Sequence, residues 1–167
     1  MNTAHNLPPT SPLKQKAHHY FALEVDNVMY AVPVAEIKYV VEWQEPVPSA
    51  FLEQSSSLGF INIRGDIILV TDLRSKLKKP KLVKRESLIL VTEIRQSLIG
   101  IVVDRVNGIV KIKEGEIEKA YPQEYELHRD VYLGVTRFRD NVLSLISFKL
   151  LFEVEISLLR KNMEALK

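Results

Sequence analysis

Apolar residues occur along this chain in short runs that are separated by polar turn residues. The runs YFALEV and VMYAV flank the Asp-Asn pair at 26–27, which predicts a tight β-hairpin. The next segment, PVAEIKYVVEW, starts at Pro33, a residue suited to the first turn of a helix. Within it Val34, Ile37 and Val41 recur at helical spacing. The pattern predicts a strand-rich chain with a helical turn after the first hairpin.

An internal repeat organises the rest of the chain. Residues 21–41 align without gaps on residues 90–110, at a shift of 110 − 41 = 69 positions. Residues 58–77 align on residues 133–152, at a shift of 133 − 58 = 75 positions. Because strands this short bury little surface in an open sheet, we predict an all-β fold of two small packed barrels. Each half would supply a hairpin, a helical turn and a second hairpin.

The apolar stretch at 59–73, GFINIRGDIILVTDL, is interrupted by Arg64-Gly65-Asp66. In the repeat, Asp140 takes the place of Gly65, and both residue types tolerate the left-handed backbone of a tight turn. We therefore interpret the interruption as a hairpin tip. Arg64 would be either simply hydrated there or a bidentate donor within a docking surface formed with the neighbouring isoleucines.

The two ends of the chain lie outside the repeat. Residues 1–17 hold three prolines among small and polar residues, and we expect a flexible tail there. Residues 18–152 would form the two-lobed domain. Residues 153–167 would form the C-terminal helix, whose periodicity starts at about residue 149 and predicts a helix to about residue 166.

Composition and motifs argue against catalysis. The chain is 46% hydrophobic and 26% charged, as in ordinary globular proteins, and it has no cysteine for disulfides or thiolate metal sites. No histidine pair with metal-ligand spacing, Gly-rich loop or nucleophile motif occurs. We therefore predict no enzyme activity, cofactor or metal. Asp72 and Asp104 are interpreted as turn caps, and Ser144 and Ser147 as solvent-facing strand residues.

Two further patterns concern location and partners. No apolar stretch is long enough to span a membrane and no secretory signal is present, so we expect a cytoplasmic protein. The segment 74–85, RSKLKKPKLVKR, holds seven Lys or Arg residues. It could be a solvated linker, contact an acidic protein, or bind nucleic acid or anionic lipid. The lack of interleaved aromatic residues argues against nucleic acid.

Several segments resemble one family. LGFINIRGDIILVTDLRSKL resembles the Leu-Gly-x-x-Asn-x-Arg-Gly hairpin and Asp-Leu-Arg end of CheW-like chemotaxis coupling proteins. FALEVDNVMYAVPVAEI, IGIVVDRVNGIVKI and LSLISFKLLF fit as well, and the resemblance covers about residues 20–152. It implies two five-stranded SH3-like barrels and a non-enzymatic adaptor. Such an adaptor would link chemoreceptor cytoplasmic tips to the regulatory domain of a CheA-type histidine kinase, in the cytoplasm at membrane receptor arrays.

The resemblance also implies the binding residues. The receptor-binding residues would be Ile37, Tyr39, Ile63 and Arg64, and the kinase-binding residues Leu58, Gly59, Tyr121 and Tyr125. Tyr39 stands where the family usually has Glu, and Gly108 where it usually has an acid, which would favour acidic partners. The alternatives are a diverged scaffold for another acidic protein and a nucleic-acid-binding barrel that uses residues 74–85.

Overall fold

The computed structural model describes four stretches of the chain, residues 15–52, 56–80, 86–121 and 127–166. Most of the predicted tail, the end of the basic segment and Tyr125 lie outside these stretches. The strands and helices are β1 (Ala17–Val25), β2 (Val28–Pro33), β3 (Tyr39–Glu42), β4 (Ser57–Ile63), β5 (Asp66–Asp72), α1 (Leu73–Lys76), β6 (Leu88–Ile94), β7 (Ser97–Val103), β8 (Arg105–Lys113), β9 (Tyr132–Phe138), β10 (Asn141–Ile146) and α2 (Phe148–Glu164). Single 3-10 turns lie at Val34–Glu36, Ala50–Leu52, Glu114–Glu116 and Arg129–Val131.

The strands form two five-stranded sheets, in the orders β3-β6-β7-β5-β4 and β8-β1-β2-β10-β9. We call the first sheet lobe 1 and the second lobe 2. Since β6 to β10 are the repeat counterparts of β1 to β5, both sheets have the same order of equivalent strands. Each lobe takes its opening hairpin from one half of the chain and its other three strands from the other half. The predicted all-β, two-lobed fold is confirmed, and the halves exchange hairpins.

The predicted hairpin turns are confirmed by the backbone angles. Both Arg64 (φ 53°) and Gly65 (φ 94°) have positive φ, as do their counterparts Arg139 (φ 47°) and Asp140 (φ 63°). Positive φ at both central residues is the conformation that matches the twist of two-residue hairpins. The turn between β1 and β2 has the same form, so the alternation of apolar runs and turn residues was read correctly.

A backbone bridge closes each lobe. In lobe 1 the chain leaving edge strand β3 reaches the opposite edge strand β4, where Val47 N donates to Phe60 O at 2.8 Å and Phe60 N donates to Val47 O at 2.9 Å. In lobe 2 Glu118 pairs with Val135 of β9 in the same way. Glycines lie beside both bridges, at Gly59 (φ 137°) and Gly134 (φ 139°).

The predicted helical segment is shorter than its spacing suggested. A 3-10 turn does follow Pro33, but residues Tyr39–Glu42 form β3, because β6 offers them a pairing edge. The second half differs from the prediction too, since no helix separates β7 from β8 there. Val102, the counterpart of Pro33, keeps its N–H and pairs with Ile89, so β7 continues.

Three apolar clusters hold the fold together. One lies inside lobe 1 and includes Ile68 and Val91, and a second lies inside lobe 2 and includes Leu143. The largest lies between the lobes and contains residues of both sheets together with Phe148 and Phe152 of α2. The C-terminal helix is therefore part of the core between the lobes. Within the described residues, no helix has the length and apolar character needed to cross a lipid bilayer.

Glu36 caps the N-terminus of α2 from the opposite half of the chain. Its carboxylate accepts hydrogen bonds from Ser147 Oγ at 2.7 Å, Phe148 N at 2.7 Å and Lys149 N at 3.3 Å. Ser147 is therefore buried as the N-cap residue, and Ser144 is buried in β10 between β2 and β9. The prediction that these two serines are solvent-facing strand residues is wrong, because the second half of β10 is buried on both faces and Ser147 lies beyond the strand, at the start of α2.

Glu36→Gln is expected to lower the free energy of unfolding by about 1 kcal/mol. The amide keeps the shape of the side chain but loses one acceptor oxygen and the negative charge near the positive end of the helix dipole. Thermal and urea unfolding followed by circular dichroism would measure the change. Glu118→Gln, at an exposed position, serves as the control. Equal stability of the two variants would contradict the capping role.

Candidate functional site

A groove of about 380 Å³ lies between β3 and β4, the two edge strands of lobe 1. We call it the lobe 1 groove, and its lining residues are Tyr39, Val40, Val41, Ile63, Arg64 and Asp66. Its apolar walls are set by strand alternation, because Tyr39, Val41 and Ile63 pack on the core of lobe 1. The side chain of Val40 points away from that core and is 37% exposed. The groove is thus an apolar surface supported by the core of lobe 1, with charged residues at one end.

Arg64 stands at that charged end on a rigid support. It occupies the positive-φ turn between β4 and β5, which is held by a hydrogen bond from Gly65 N to Asn62 Oδ1 at 2.9 Å. Its side chain is exposed, and no carboxylate in the described stretches forms an ion pair with it. Its guanidinium can therefore bind a carboxylate or backbone carbonyl of a partner with two parallel hydrogen bonds.

Tyr39 brings an unsatisfied polar group to the same groove. Its hydroxyl is buried and has no hydrogen-bond partner among the described residues. A buried hydroxyl left unpaired costs about 1–3 kcal/mol. Departures of this kind from good packing chemistry are concentrated at functional or strained sites. Tyr39 therefore supports the assignment of the groove as a functional surface.

Ile37 lies apart from the other three predicted receptor residues. It packs on the core between the lobes and borders a separate hollow of about 320 Å³ with Glu36 and Lys149. The adjacent Lys38 is exposed, and its hydrogen bond with Glu93 raises the pKa of its ammonium group. Tyr39, Ile63 and Arg64 therefore line one groove, whereas Ile37, which precedes β3, borders a different hollow.

The predicted kinase-binding residues do not form one exposed surface. Leu58 is half-buried against the core of lobe 1, and Gly59 is buried beside the Val47 bridge. Tyr121 is half-buried against the core between the lobes, with the Arg129 guanidinium 4.6 Å from its ring centroid. Tyr125 lies outside the described residues. Leu58 and Tyr121 therefore belong to different apolar clusters.

An ion cluster near the junction of the lobes was missed in the sequence. Arg74, whose side chain is only 5% exposed, places Nη2 2.5 Å from Asp104 Oδ2 and Nη1 3.4 Å from Asp26 Oδ1. Asp26 N also donates to Asp104 Oδ2 at 2.8 Å. Burial opposes the charge of Arg74, but its hydrogen bonds and attraction to the two aspartates prevail and raise its pKa. The first residue of the basic segment is thus a buried structural cation.

This cluster also settles the roles of the two aspartates. Asp72 caps α1 as predicted, accepting a hydrogen bond from Arg74 N at 3.0 Å. Asp104 caps no following turn, so that prediction is wrong; it binds the β1–β2 turn and Arg74 instead. The contact between Arg74 and Asp104 follows from the parallel pairing of β5 with β7. Asp72 pairs with Val102 there, and Arg74 and Asp104 each come two positions later.

The described residues hold no group of three or more histidine, aspartate or glutamate side chains arranged to bind a metal ion. Among the described residues, the charged ones that line the lobe 1 groove are Arg64 and Asp66. A general acid–base pair needs two titratable groups placed around a substrate. The chemistry this groove offers is recognition, through an apolar wall and one strong donor.

Comparison with known proteins agrees with this arrangement. Residues 19–155 match the family described as CheW-like domain. A Bacillus subtilis protein named chemotaxis protein CheW is 29% identical over 135 residues, which are 80% of this chain and 85% of that protein. Its namesake from Thermotoga maritima is 31% identical over 107 residues, or 62% of this chain and 68% of that protein.

The fold is also found in a solved structure. The crystal structure of the scaffolding protein TtCheW from Thermoanaerobacter tengcongensis superimposes with a TM-score of 0.72, at 22% sequence identity. The match covers 91% of this chain and 94% of that chain, so the whole two-lobed architecture is shared. Together with the match over residues 19–155, this likeness leads to one conclusion: the chain belongs to the CheW-like domain family.

Proposed function

We propose that this protein is a non-enzymatic adaptor that couples chemoreceptors to a CheA-type histidine kinase in chemotaxis or motility signalling. Its membership of the CheW-like domain family supports the proposal, as do relatives named chemotaxis protein CheW. The observation that carries it is the lobe 1 groove, an apolar recognition surface with Arg64 on a rigid turn. The protein would act in the cytoplasm and be recruited to receptor arrays at the membrane.

The receptor would present its helical cytoplasmic tip to the lobe 1 groove. Apolar side chains on one face of a helix can pack into a groove of this kind, and Val40 and Ile63 offer them contact area. Burial of apolar surface would supply most of the affinity, while Arg64 would fix the orientation of the helix. Tyr39 would add aromatic surface at a position where the family usually carries a negative charge.

The kinase would be held at the same time by other parts of the molecule. Its regulatory domain would contact Leu58, Gly59, Tyr121 and Tyr125, with Gly59 contributing backbone only. Because both partners are carried by one rigid body, the core between the lobes and the Arg74 cluster would set the geometry between them. Coupling would then depend on stiffness rather than on any reactive group.

Arg64→Glu is expected to weaken binding of the receptor tip by at least about tenfold, without lowering the melting temperature appreciably. The exposed side chain makes no ion pair within the described residues, so its loss should leave the fold intact. The reversed charge would repel the carboxylate or carbonyl that Arg64 is proposed to bind. Isothermal titration calorimetry with a soluble receptor-tip fragment would measure the affinity.

Arg105→Glu provides the matched control, since it makes the same change of charge at an exposed residue of lobe 2. It should bind the receptor fragment normally. Normal binding by Arg64→Glu as well would exclude the lobe 1 groove as the receptor site. Binding of another acidic protein in place of the receptor would favour the diverged-scaffold alternative.

The nucleic-acid alternative is less well supported by the structure. Two cations of the basic segment, Arg74 and Lys79, form ion pairs with Asp26, which reduces their attraction for phosphate. Binding of DNA or RNA that weakens steeply with salt would be required to sustain it.

A further inference from the structure

Lobe 2 carries a groove equivalent to the lobe 1 groove. It has a volume of about 370 Å³ and lies between β8 and β9, the edge strands of lobe 2. We call it the lobe 2 groove, and the lining residues that matter here are Ile109, Val110, Lys111, Arg137, Phe138 and Arg139. The repeat shifts of 69 and 75 relate Ile109 and Val110 to Val40 and Val41, and Phe138 and Arg139 to Ile63 and Arg64.

The lobe 2 groove keeps the two properties that make the lobe 1 groove a recognition surface. Ile109, the counterpart of Val40, is 56% exposed, which is more than the 37% of Val40. Arg139 has φ 47° on a two-residue turn, as Arg64 has φ 53°. An exposed branched apolar side chain and an arginine on a rigid turn therefore recur in the second lobe.

The charge of the two grooves differs systematically. The lobe 1 groove is lined by one cation and one anion, Arg64 and Asp66. The lobe 2 groove is lined by three cations, Lys111, Arg137 and Arg139, and by Glu116. One position of the turn changes in the opposite sense, since Asp140 takes the place of Gly65. The same backbone arrangement thus presents a distinctly more basic surface in lobe 2.

Glu116 is the acidic residue that lines the lobe 2 groove. Its carboxylate accepts a hydrogen bond from Lys113 N at 2.9 Å and so anchors the 3-10 turn after β8. An adjoining hollow is lined by Glu116 and Arg137 together with Glu118. Arg139 lies in the β9–β10 turn beside Asp140, and its side chain is exposed and accessible to a negatively charged ligand.

The side chains favour a protein ligand over nucleic acid. The Arg139 guanidinium lies 5.0 Å from the centroid of the Phe138 ring and occupies one face of that ring. Bases bind such surfaces by stacking on open aromatic faces. Ile109 offers branched aliphatic surface instead, which suits an apolar side chain of a peptide.

We infer that the lobe 2 groove is a docking site for an acidic, amphipathic segment of a partner protein. Ile109 contacts the apolar side chains of that segment, and Arg137 and Arg139 bind its carboxylates. The charge difference between the grooves directs different segments to the two lobes, because a segment acidic enough for lobe 2 is repelled by Asp66 at lobe 1. This site does not depend on the receptor or kinase assignments above.

Nuclear magnetic resonance of the whole ¹⁵N-labelled chain can test the site. The probe is a short helical peptide built from alternating Leu and Glu pairs, and its counterpart with Lys in place of Glu is the comparison. The acidic peptide is expected to shift amide signals of β8 and β9, with binding that weakens as salt is added. R137E/R139E should weaken this binding by at least about tenfold, and Ile109→Ser should weaken it as well.

Arg105→Glu is the matched control, since it reverses a charge at an exposed residue of β8 that does not line the groove, and it should leave peptide binding unchanged. The inference is overturned if the acidic peptide leaves β8 and β9 unaffected or binds the double variant equally well. Equal binding of the Lys peptide, or tighter binding of a single-stranded oligonucleotide at the same amides, would also overturn it. A receptor fragment that fails to bind lobe 1 would contradict the proposed function alone.

Discussion

Gly59→Ala is expected to lower the free energy of unfolding by more than about 3 kcal/mol. A β-carbon at this position would lie 2.2 Å from Val47 O and 2.6 Å from Val47 C, which are backbone atoms that cannot rotate away. The φ of 137° adds strain for any residue with a side chain. The substitution would therefore break the bridge that closes lobe 1. Urea unfolding followed by circular dichroism would measure the loss.

Gly65→Ala separates the cost of backbone strain from the cost of the steric clash. Gly65 also has positive φ, at 94°, but no atom lies within 4 Å of an added β-carbon. It should lose only about 1–2 kcal/mol from backbone strain. Gly134→Ala should behave like Gly59→Ala, because its β-carbon would lie 2.7 Å from Glu118 O at the lobe 2 bridge. Equal losses at Gly59 and Gly65 would mean that the close approach to Val47 has no energetic importance.

Arg74→Met is the second large effect that we expect, with a loss of about 3 kcal/mol. The substitution removes a buried cation and leaves Asp104, whose side chain is only 16% exposed, without its charge partner. Asp26 is 44% exposed and should contribute little to the loss. Because the pKa of Arg74 is raised from an already high value, the loss should be constant across neutral pH. Its contribution would disappear as the pH rises through that pKa.

A double-mutant cycle with Asp104→Asn tests the mechanism. The double variant should lose less stability than the two single losses added together, because each single change strands the other partner. Arg105→Met, at the exposed next position along β8, should be nearly neutral and serves as the control. Additive losses would show that Arg74 and Asp104 stabilise the fold independently of each other.

Local patterns in the sequence predicted much of the fold. Turn residues at 26–27 and 64–65 were identified because left-handed backbone leaves a strong compositional mark. The repeat revealed two lobes because both hairpins preserve their apolar alternation. The C-terminal helix was predicted within a few residues of Phe148–Glu164 from its periodicity alone. In each case the information needed lies within a short stretch of chain.

Features that depend on distant partners were not predicted. Nothing local marks Glu36 as the cap of a helix that begins 112 residues later. Arg74 opens a run of lysines and resembles a solvated residue until the parallel pairing of β5 with β7 places Asp104 beside it. The burial of Ser144 and the end of the helical turn before β3 likewise follow from neighbouring strands. These errors share one cause, which is tertiary pairing.

The residues of the candidate site were likewise predicted only in part. Arg64 was identified because it interrupts an apolar stretch, and Ile63 because it flanks that interruption. The family resemblance added Tyr39, but it also added Ile37, which the structure places on the core between the lobes. The lobe 2 groove was not predicted because β8 and β9, although consecutive in the chain, do not pair with each other. Only the sheet order brings β8 and β9 to opposite edges of one lobe.

The exchange of hairpins between the two halves determines how the chain can be divided. A cut between α1 and β6 would yield two fragments, each owning strands of both sheets and completing neither. Neither fragment should fold on its own. We therefore expect both lobes to form only when the two halves of the chain combine.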